Sequence, residues 1–229
     1  MNHEYTIKPI AYIRNDLTTK FGVPRQSGLA KSLKSEIVFE PEYRIHDALR
    51  GLNDFSHIWL IWGFSEARRE DWSPTVRPPR LGGNTRVGVF ASRSPYRPNS
   101  LALSCVELVE IVEDSEKGDI LVVSGADIMN GTPIYDIKPY LPYADSIPEA
   151  TGGFAPDGGK TLTVATDEEI LNKLPESKRK SLIEILERDP RPQYHDDPAR
   201  VYGMEYGGFE IKFSVNDEVL TVLSVEKDN

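Results

Sequence analysis

Residues 101–124, LALSCVELVEIVEDSEKGDILVVS, decide the fold. Two apolar stretches rich in β-branched residues, Leu101–Val112 and Ile120–Ser124, flank a polar break that contains a glycine, which is the pattern of strands between turns. The pattern recurs upstream at Tyr5–Ile13, Ser35–Phe39, Ser56–Phe64 and Arg86–Ser92. Turn chemistry separates such stretches, as at Gly82-Gly83-Asn84 and Arg97-Pro98-Asn99, and Asn130-Gly131-Thr132-Pro133 follows the last of them. Six strands before residue 125 predict a sheet that closes on itself. The expected fold class is mainly β, with a β-barrel-like N-terminal domain followed by a small α+β C-terminal domain.

The division between the two is expected at Ala150–Lys160, ATGGFAPDGGK, where four glycines and one proline leave little to bury. The expected organisation is a barrel domain over 1–150, a Gly/Pro-rich linker over 151–160 and the C-terminal domain over 161–229. In the last, Thr161–Thr166 reads as a strand. Leu171, Leu174, Leu182, Ile183 and Leu186 fall at mostly helical spacings, with Pro175 dividing two helices. Tyr202–Val215 and Val219–Val225 are predicted to form a hairpin around Asn216-Asp217.

Composition excludes several classes. The single cysteine, Cys105, rules out an intramolecular disulfide framework and a multi-cysteine metal site, and it is expected to pack as a small hydrophobe. His3, His46, His57 and His195 show no metal-ligand clustering, so no metal is expected. No apolar run approaches the ~20 residues that span a bilayer. The N-terminal MNHEYTIKPIAYI lacks a cationic region followed by a long apolar stretch, and a soluble cytoplasmic protein is expected. The common phosphate and catalytic signatures, GxxxxGK[ST], GxGxxG, HExxH and GxSxG, are absent.

The charge is unevenly spread. Of 229 residues, 27 are Lys or Arg and 36 Asp or Glu, a net charge of −9 that by itself disfavours a polyanionic partner. Yet residues 72–106 hold Arg77, Arg80, Arg86, Arg93 and Arg97 and no lysine or acidic residue. Pro78, Pro79 and Pro98 stiffen this segment, and Gly82 and Gly83 let a ligand approach the backbone closely. Arginine forks grip carboxylates and phosphates bidentately, although each could equally pair with an acidic group of the same chain. A second segment, NGTPIYDIKPYLPYADS over 130–146, reads as a loop that sets Asp136, Lys138 and Asp145 among Tyr135, Tyr140 and Tyr143. Its tyrosines suit either stacking on a base or packing at the core edge.

Taken together, VPRQ (23–26), FSHIWLIW (55–62), PTVRPPRLGGN (74–84), VGVFASRSPYRPN (87–99), GTPIYDIKPYLPYADS (131–146) and RDPRPQY (188–194) resemble the tRNA methyltransferase O, or TsaA-like, family. The resemblance implies a β-barrel enzyme dependent on S-adenosylmethionine, a homodimer with the cofactor near the interface, and a tRNA substrate. It further implies methylation at N6 of the adenosine 3′ of the anticodon, already carrying a threonylcarbamoyl group. Onto this sequence it carries Pro24, Arg25, Gln26, Phe64, Ser65, Arg93, Leu103, Thr132, Pro133, Ile134 and Tyr135 as cofactor-binding residues. It makes Arg77, Arg80, Arg97 and Arg191 candidates for RNA or for the substrate carboxylate. Asn130 departs from the aspartate common in the family, Asn15-Asp16 from a Ser-Pro, and RPNSLALS from an RPNPIG-type continuation. Because acylation makes the N6 proton more acidic, a base at or near Asp136 would assist the reaction. A non-catalytic barrel module that binds S-adenosylmethionine or RNA, and a small-molecule methyltransferase, stay open as alternatives.

Overall fold

A computed structural model describes residues 4–66, 71–191 and 197–228. The barrel strands are β1 (Ala11–Arg14), β2 (Lys34–Phe39), β3 (His57–Gly63), β6 (Leu101–Asp114), β7 (Gly118–Ser124) and β8 (Pro133–Pro139), with β4 (Thr75–Val76) and β5 (Val87–Gly88) pairing apart from them. The six close in the order β1-β2-β7-β6-β3-β8, every neighbouring pair antiparallel. Alternation along the strands sends Ala11, Ile13, Ile37, Ile58, Leu60, Trp62, Val106, Leu121, Val123 and Ile134 into one shared core. A short helix α1 (Pro142–Asp145) follows the barrel.

Three sequence expectations change in the N-terminal part of the structure. Asn130–Ser146 is not a loop: its centre is β8, the strand that closes the barrel between β1 and β3. Pro133 and Pro139 stand at its two ends, where a missing N–H is tolerated, and so disguise a strand as a loop. Arg86–Ser92 is not a strand throughout, because its partner is cut to Thr75–Val76 between Pro74 and Pro78; beyond Gly88 the chain turns into a 3-10 turn at Val89–Ala91. Tyr5–Ile13 pairs only from Ala11 onward, and Tyr5 and Ile7 stay exposed.

The C-terminal part comprises β9 (Thr163–Ala165), α2 (Glu168–Leu171), α3 (Glu176–Leu186), β10 (Tyr202–Tyr206), β11 (Phe209–Asn216) and β12 (Val219–Lys227). The sheet order is β10-β11-β12-β9, with β9 parallel to β12. The helices break at Pro175 and the β11–β12 hairpin turns at Asp217, both as expected. Tyr202–Val215, however, is two strands. Gly207 and Gly208, with φ of 59° and 84°, make the two-residue turn that a primed hairpin requires. Leu182, Ile185 and Leu186 of α3 pack on Phe213, Tyr206 and Leu220, and Leu17, Ala30 and Leu33 from the N-terminal chain complete this second core. Burial lifts the Tyr206 hydroxyl to about 12, where it shares a 2.6 Å hydrogen bond with Ser181 Oγ.

Candidate active site

Strand direction alternates around an antiparallel barrel, so the connections β1–β2, β3–β6 and β7–β8 leave the same end. These are the stretches 15–33, 64–100 and 125–132. One barrel end therefore collects the VPRQ loop, the arginine segment and the turn ahead of β8. Segments 15–33 and 125–132 are laced together. Gly28 N donates to Gly125 O at 2.8 Å, Asn130 N to Leu17 O at 2.8 Å, and Asn15 Nδ2 to Ile128 O at 2.8 Å. A Cβ built on Gly125, whose φ is 75°, would lie 3.3 Å from the Gly28 backbone, so glycine permits this approach.

The C-terminal unit holds the 15–33 segment from its other side. Ser32 N and Oγ donate to the Glu184 carboxylate at 2.6 and 2.7 Å, Lys178 pairs with Asp16, and Phe21 stacks on Phe213. A loop gripped by both cores is fixed enough to present Pro24, Arg25 and Gln26 in set positions.

At the barrel mouth lies a polar chain that sequence reasoning missed. Trp62 Nε1 donates to Ser104 Oγ at 2.9 Å, and Ser104 Oγ donates to Asp127 Oδ1 at 2.5 Å. The backbone N–H of Ser27 and the charge of Arg93 also face this carboxylate. Burial pushes the Asp127 carboxyl above the usual range, outweighing the opposing Ser104 hydrogen bond and the Arg93 charge. A carboxyl that binds protons more readily when folded stabilises the fold at low pH, and that contribution is lost as pH rises through its raised value. Asp127→Asn does not titrate. Its melting temperature relative to the parent is expected to shift in the variant's favour, by a few degrees, between about pH 4 and about pH 8. A difference flat across that range in a thermal melt series would contradict the assignment.

Gln26 Oε1 accepts a hydrogen bond from Arg93 Nη1, joining the VPRQ loop to the arginine segment near enough to Asp127 for the Arg93 charge to act on it. Arg25 turns the other way, and its Nη2 donates to the carbonyls of Asp189 and Arg191, both at 3.3 Å. Arg97 Nη1 donates to Ser92 O at 3.1 Å, and its guanidinium lies over Phe90. Arg80 meets Asp157 at 3.3 Å, and Arg191 grips Asp189 with two bonds of 2.8 and 2.9 Å. Arg77 is exposed with no ion pair among the described residues. Pro192, Gln193 and Tyr194 of the RDPRPQY match, like His3 and His195, lie outside the described residues.

A second group occupies the outer face of the barrel. Trp62 points inward, so Gly63, and across the ladder Leu101 and Leu103, point outward; Leu103 is 53 % exposed. The β3–β8 register jumps from Ile61↔Asp136 to Trp62↔Ile134, which makes Tyr135 the extra residue of a bulge. The bulge lays the Tyr135 ring over Gly63, where a Cβ would come within 2.7 Å of it. Asp136 pairs with Lys138 at 2.9 Å on this face. Thr132, Pro133 and Ile134 are buried, Ile134 within the barrel core, so they shape the site through their backbone. Phe64 packs on Trp62 at 4.7 Å between ring centroids, and Ser65 is exposed beside it. Among the described residues no cluster of His, Cys, Asp and Glu could hold a metal, and no helix is long and apolar enough to cross a membrane.

Fold and site define a β-barrel protein whose mouth is built from three interlocked loops, one of them arginine-bearing, on an α+β platform. A model of the tRNA-methyltransferase O N-terminal domain matches residues 12–146, and one of the TrmO C-terminal domain matches residues 160–228. The chain belongs to this family. It is 38 % identical to the tRNA (adenine(37)-N6)-methyltransferase of Escherichia coli, with 97 % of this chain and 98 % of that protein covered. It is also 38 % identical to a "Probable S-adenosyl-L-methionine-binding protein" of Methanothermobacter thermautotrophicus, over 63 % of this chain and 96 % of that one. A crystal structure of TrmO from P. aeruginosa superimposes with a TM-score of 0.79 at 31 % identity, covering 99 % of both chains.

Proposed function

We infer that the protein is an S-adenosylmethionine-dependent tRNA methyltransferase acting on N6 of adenosine 37. What carries the reading is the near-complete match to a methyltransferase of that specificity, on a fold whose loops meet where the family motifs fall. The chemistry of the residues suits the cofactor: an arginine fork at Arg93 for a carboxylate, the Gln26 amide beside it, and aromatic and apolar walls at Phe64, Tyr135 and Leu103. Bound there, the cofactor supplies an electrophilic methyl group. The chain's own contribution is alignment, which an in-line displacement needs more than acid catalysis.

We propose that the acceptor adenosine already bears threonylcarbamoyl and that its carboxylate meets one of Arg77, Arg80, Arg97 or Arg191. Asp136, beside the Tyr135 bulge, is the proposed acceptor of the N6 proton. A homodimer is proposed because Leu103 and Tyr135 lie on the outer barrel face, where a second copy meets them more readily than the chain's own mouth loops. A tRNA substrate makes the cytoplasm the proposed location.

The experiment is to incubate the protein with methyl-labelled S-adenosylmethionine and tRNA with or without threonylcarbamoyl, then digest to nucleosides. Label is expected in the N6-methyl derivative of the threonylcarbamoylated nucleoside, and Asp136→Asn is expected to slow its appearance without weakening cofactor binding. Label in neither tRNA would overturn the function. Full turnover by Asp136→Asn would remove that residue's role.

A further inference from the structure

Beside the barrel mouth, a cleft of about 350 Å³ opens between segments 20–25 and 185–191, with Pro79 on its rim. Four cations line it, Lys20, Arg25, Arg188 and Arg191, against one carboxylate, Asp189. Both oxygens of that carboxylate are occupied by Arg191. Arg25 hydrogen-bonds the backbone carbonyls of Asp189 and Arg191, and the opposite charge that acts on it is the Asp189 carboxylate that Arg191 already grips. Arg188 reaches Thr161 Oγ1 at 3.5 Å through Nη1, while its Nε is buried with no acceptor among the described residues. Lys20 donates to the Glu66 carbonyl at 2.7 Å, and its closest carboxylate oxygen in an ion pair is 3.8 Å away. In a chain of net charge −9, a concave site with three guanidinium groups, one lysine and one carboxylate concentrates positive potential locally. Burial depresses the Arg25 pKa, the Asp189 charge opposes it and the nearby charge of Arg80 adds to it, with a net shift downward.

We propose that this cleft binds a backbone phosphodiester of the RNA substrate, apart from the reacting base. This rests on the tRNA reading above. Arginine forks match the paired oxygens of a phosphodiester, and several of them together form a phosphate grip rather than a single carboxylate clamp. Position favours the same ligand. Arg25 is adjacent to Gln26, which bonds Arg93 at the barrel mouth, so a strand entering the mouth passes the cleft. The acidic remainder of the chain repels RNA, so a local grip of this kind is needed to fix where the backbone runs.

The test is binding of the full-length protein to tRNA, with and without threonylcarbamoyl, by fluorescence anisotropy across a salt series. Arg188→Gln is expected to weaken both tRNAs equally, by about tenfold, and to flatten the slope of log affinity against log salt by about 1. Lys20→Gln, at an exposed side chain, is expected to act in the same direction more weakly and keeps the test decisive if Arg188→Gln melts early. Cofactor affinity by calorimetry should not move in either variant. Unchanged affinity and slope in variants that melt like the parent would overturn the proposal. So would a loss confined to the threonylcarbamoylated tRNA, which would make the ligand a carboxylate. If instead the parent binds tRNA and transfers no methyl to it, the enzymatic reading fails while the binding comparison still decides the cleft.

Discussion

Arg93→Ala is expected to lower methyl transfer by about 100-fold, the scale on which misplaced reacting groups lose rate. Arg93 joins two of the three mouth loops through its bond to Gln26, and it also faces the Asp127 carboxylate. Its removal frees the Gln26 amide from the arginine segment. It also deletes a charge that restrains the Asp127 carboxyl, whose pKa should then climb further. Arg93→Lys retains the charge but not the planar fork, so it should restore the pH response more fully than the rate. Single-turnover transfer of labelled methyl to tRNA reads the first effect, and melting temperature against pH reads the second. Because Arg93 is exposed, the variant should fold normally. Unimpaired turnover in Arg93→Ala would show that the loop junction does not hold the cofactor.

The barrel was legible in the sequence wherever a strand alternates cleanly, as Leu101–Val112 and Ser56–Phe64 do. The closing strand was not. Pro133 and Pro139 at its ends and the Asp136–Lys138 pair on its outer face all imitate loop composition, and only the ladder partners Ala11 and Ile61 reveal it. The mouth was half legible. Local motifs marked Gln26 and Arg93, but nothing local marks Ser104 or Asp127, whose chemistry arises when residues 23 apart meet beneath Trp62. A serine inside an apolar strand such as LALSCV is the one available hint, because a buried hydroxyl must find a partner.

Charge placement shows the same division between local and tertiary information. The arginine segment is evident from composition, yet Arg80 spends its charge on Asp157 of the glycine-rich stretch, and Arg97 lies over Phe90. Outside that segment, Arg25 and Arg188 also lack a carboxylate in hydrogen-bond contact; they are 163 positions apart in the chain and share one cleft because α3 packs under the VPRQ loop. The C-terminal unit thus does two things for the barrel: it clamps the 15–33 segment and supplies half of a cation-lined wall. Its core is incomplete without Leu17, Ala30 and Leu33, so the two parts of the chain are expected to be coupled in stability.

Gly63→Ala is expected to cut cofactor affinity and methyl transfer by about tenfold while leaving the fold intact. Gly63 ends β3 without a positive φ, so its backbone accepts an alanine, and exchanging glycine for alanine there gains roughly 0.4–1 kcal/mol by restricting the unfolded chain. The added Cβ has nowhere to go: it would stand 2.7 Å from Tyr135 Cε2 and 2.8 Å from Tyr135 Oη. The ring must swing away: forcing it about 30° off its rotamer costs roughly 0.5–1.5 kcal/mol of stability, and the contact the displaced ring no longer offers the cofactor is separately worth about 1.4 kcal/mol, tenfold in affinity. Stability gain and ring strain nearly cancel, so the melting temperature should stay close to the parent's while the aromatic wall moves. Tyr135→Ala provides the control, since in its background Gly63→Ala has no ring to displace. The two substitutions should therefore be strongly non-additive in cofactor affinity measured by calorimetry. Additive losses would mean that Gly63 acts through something other than the seat of Tyr135, and that the bulge in β8 does not serve the cofactor site.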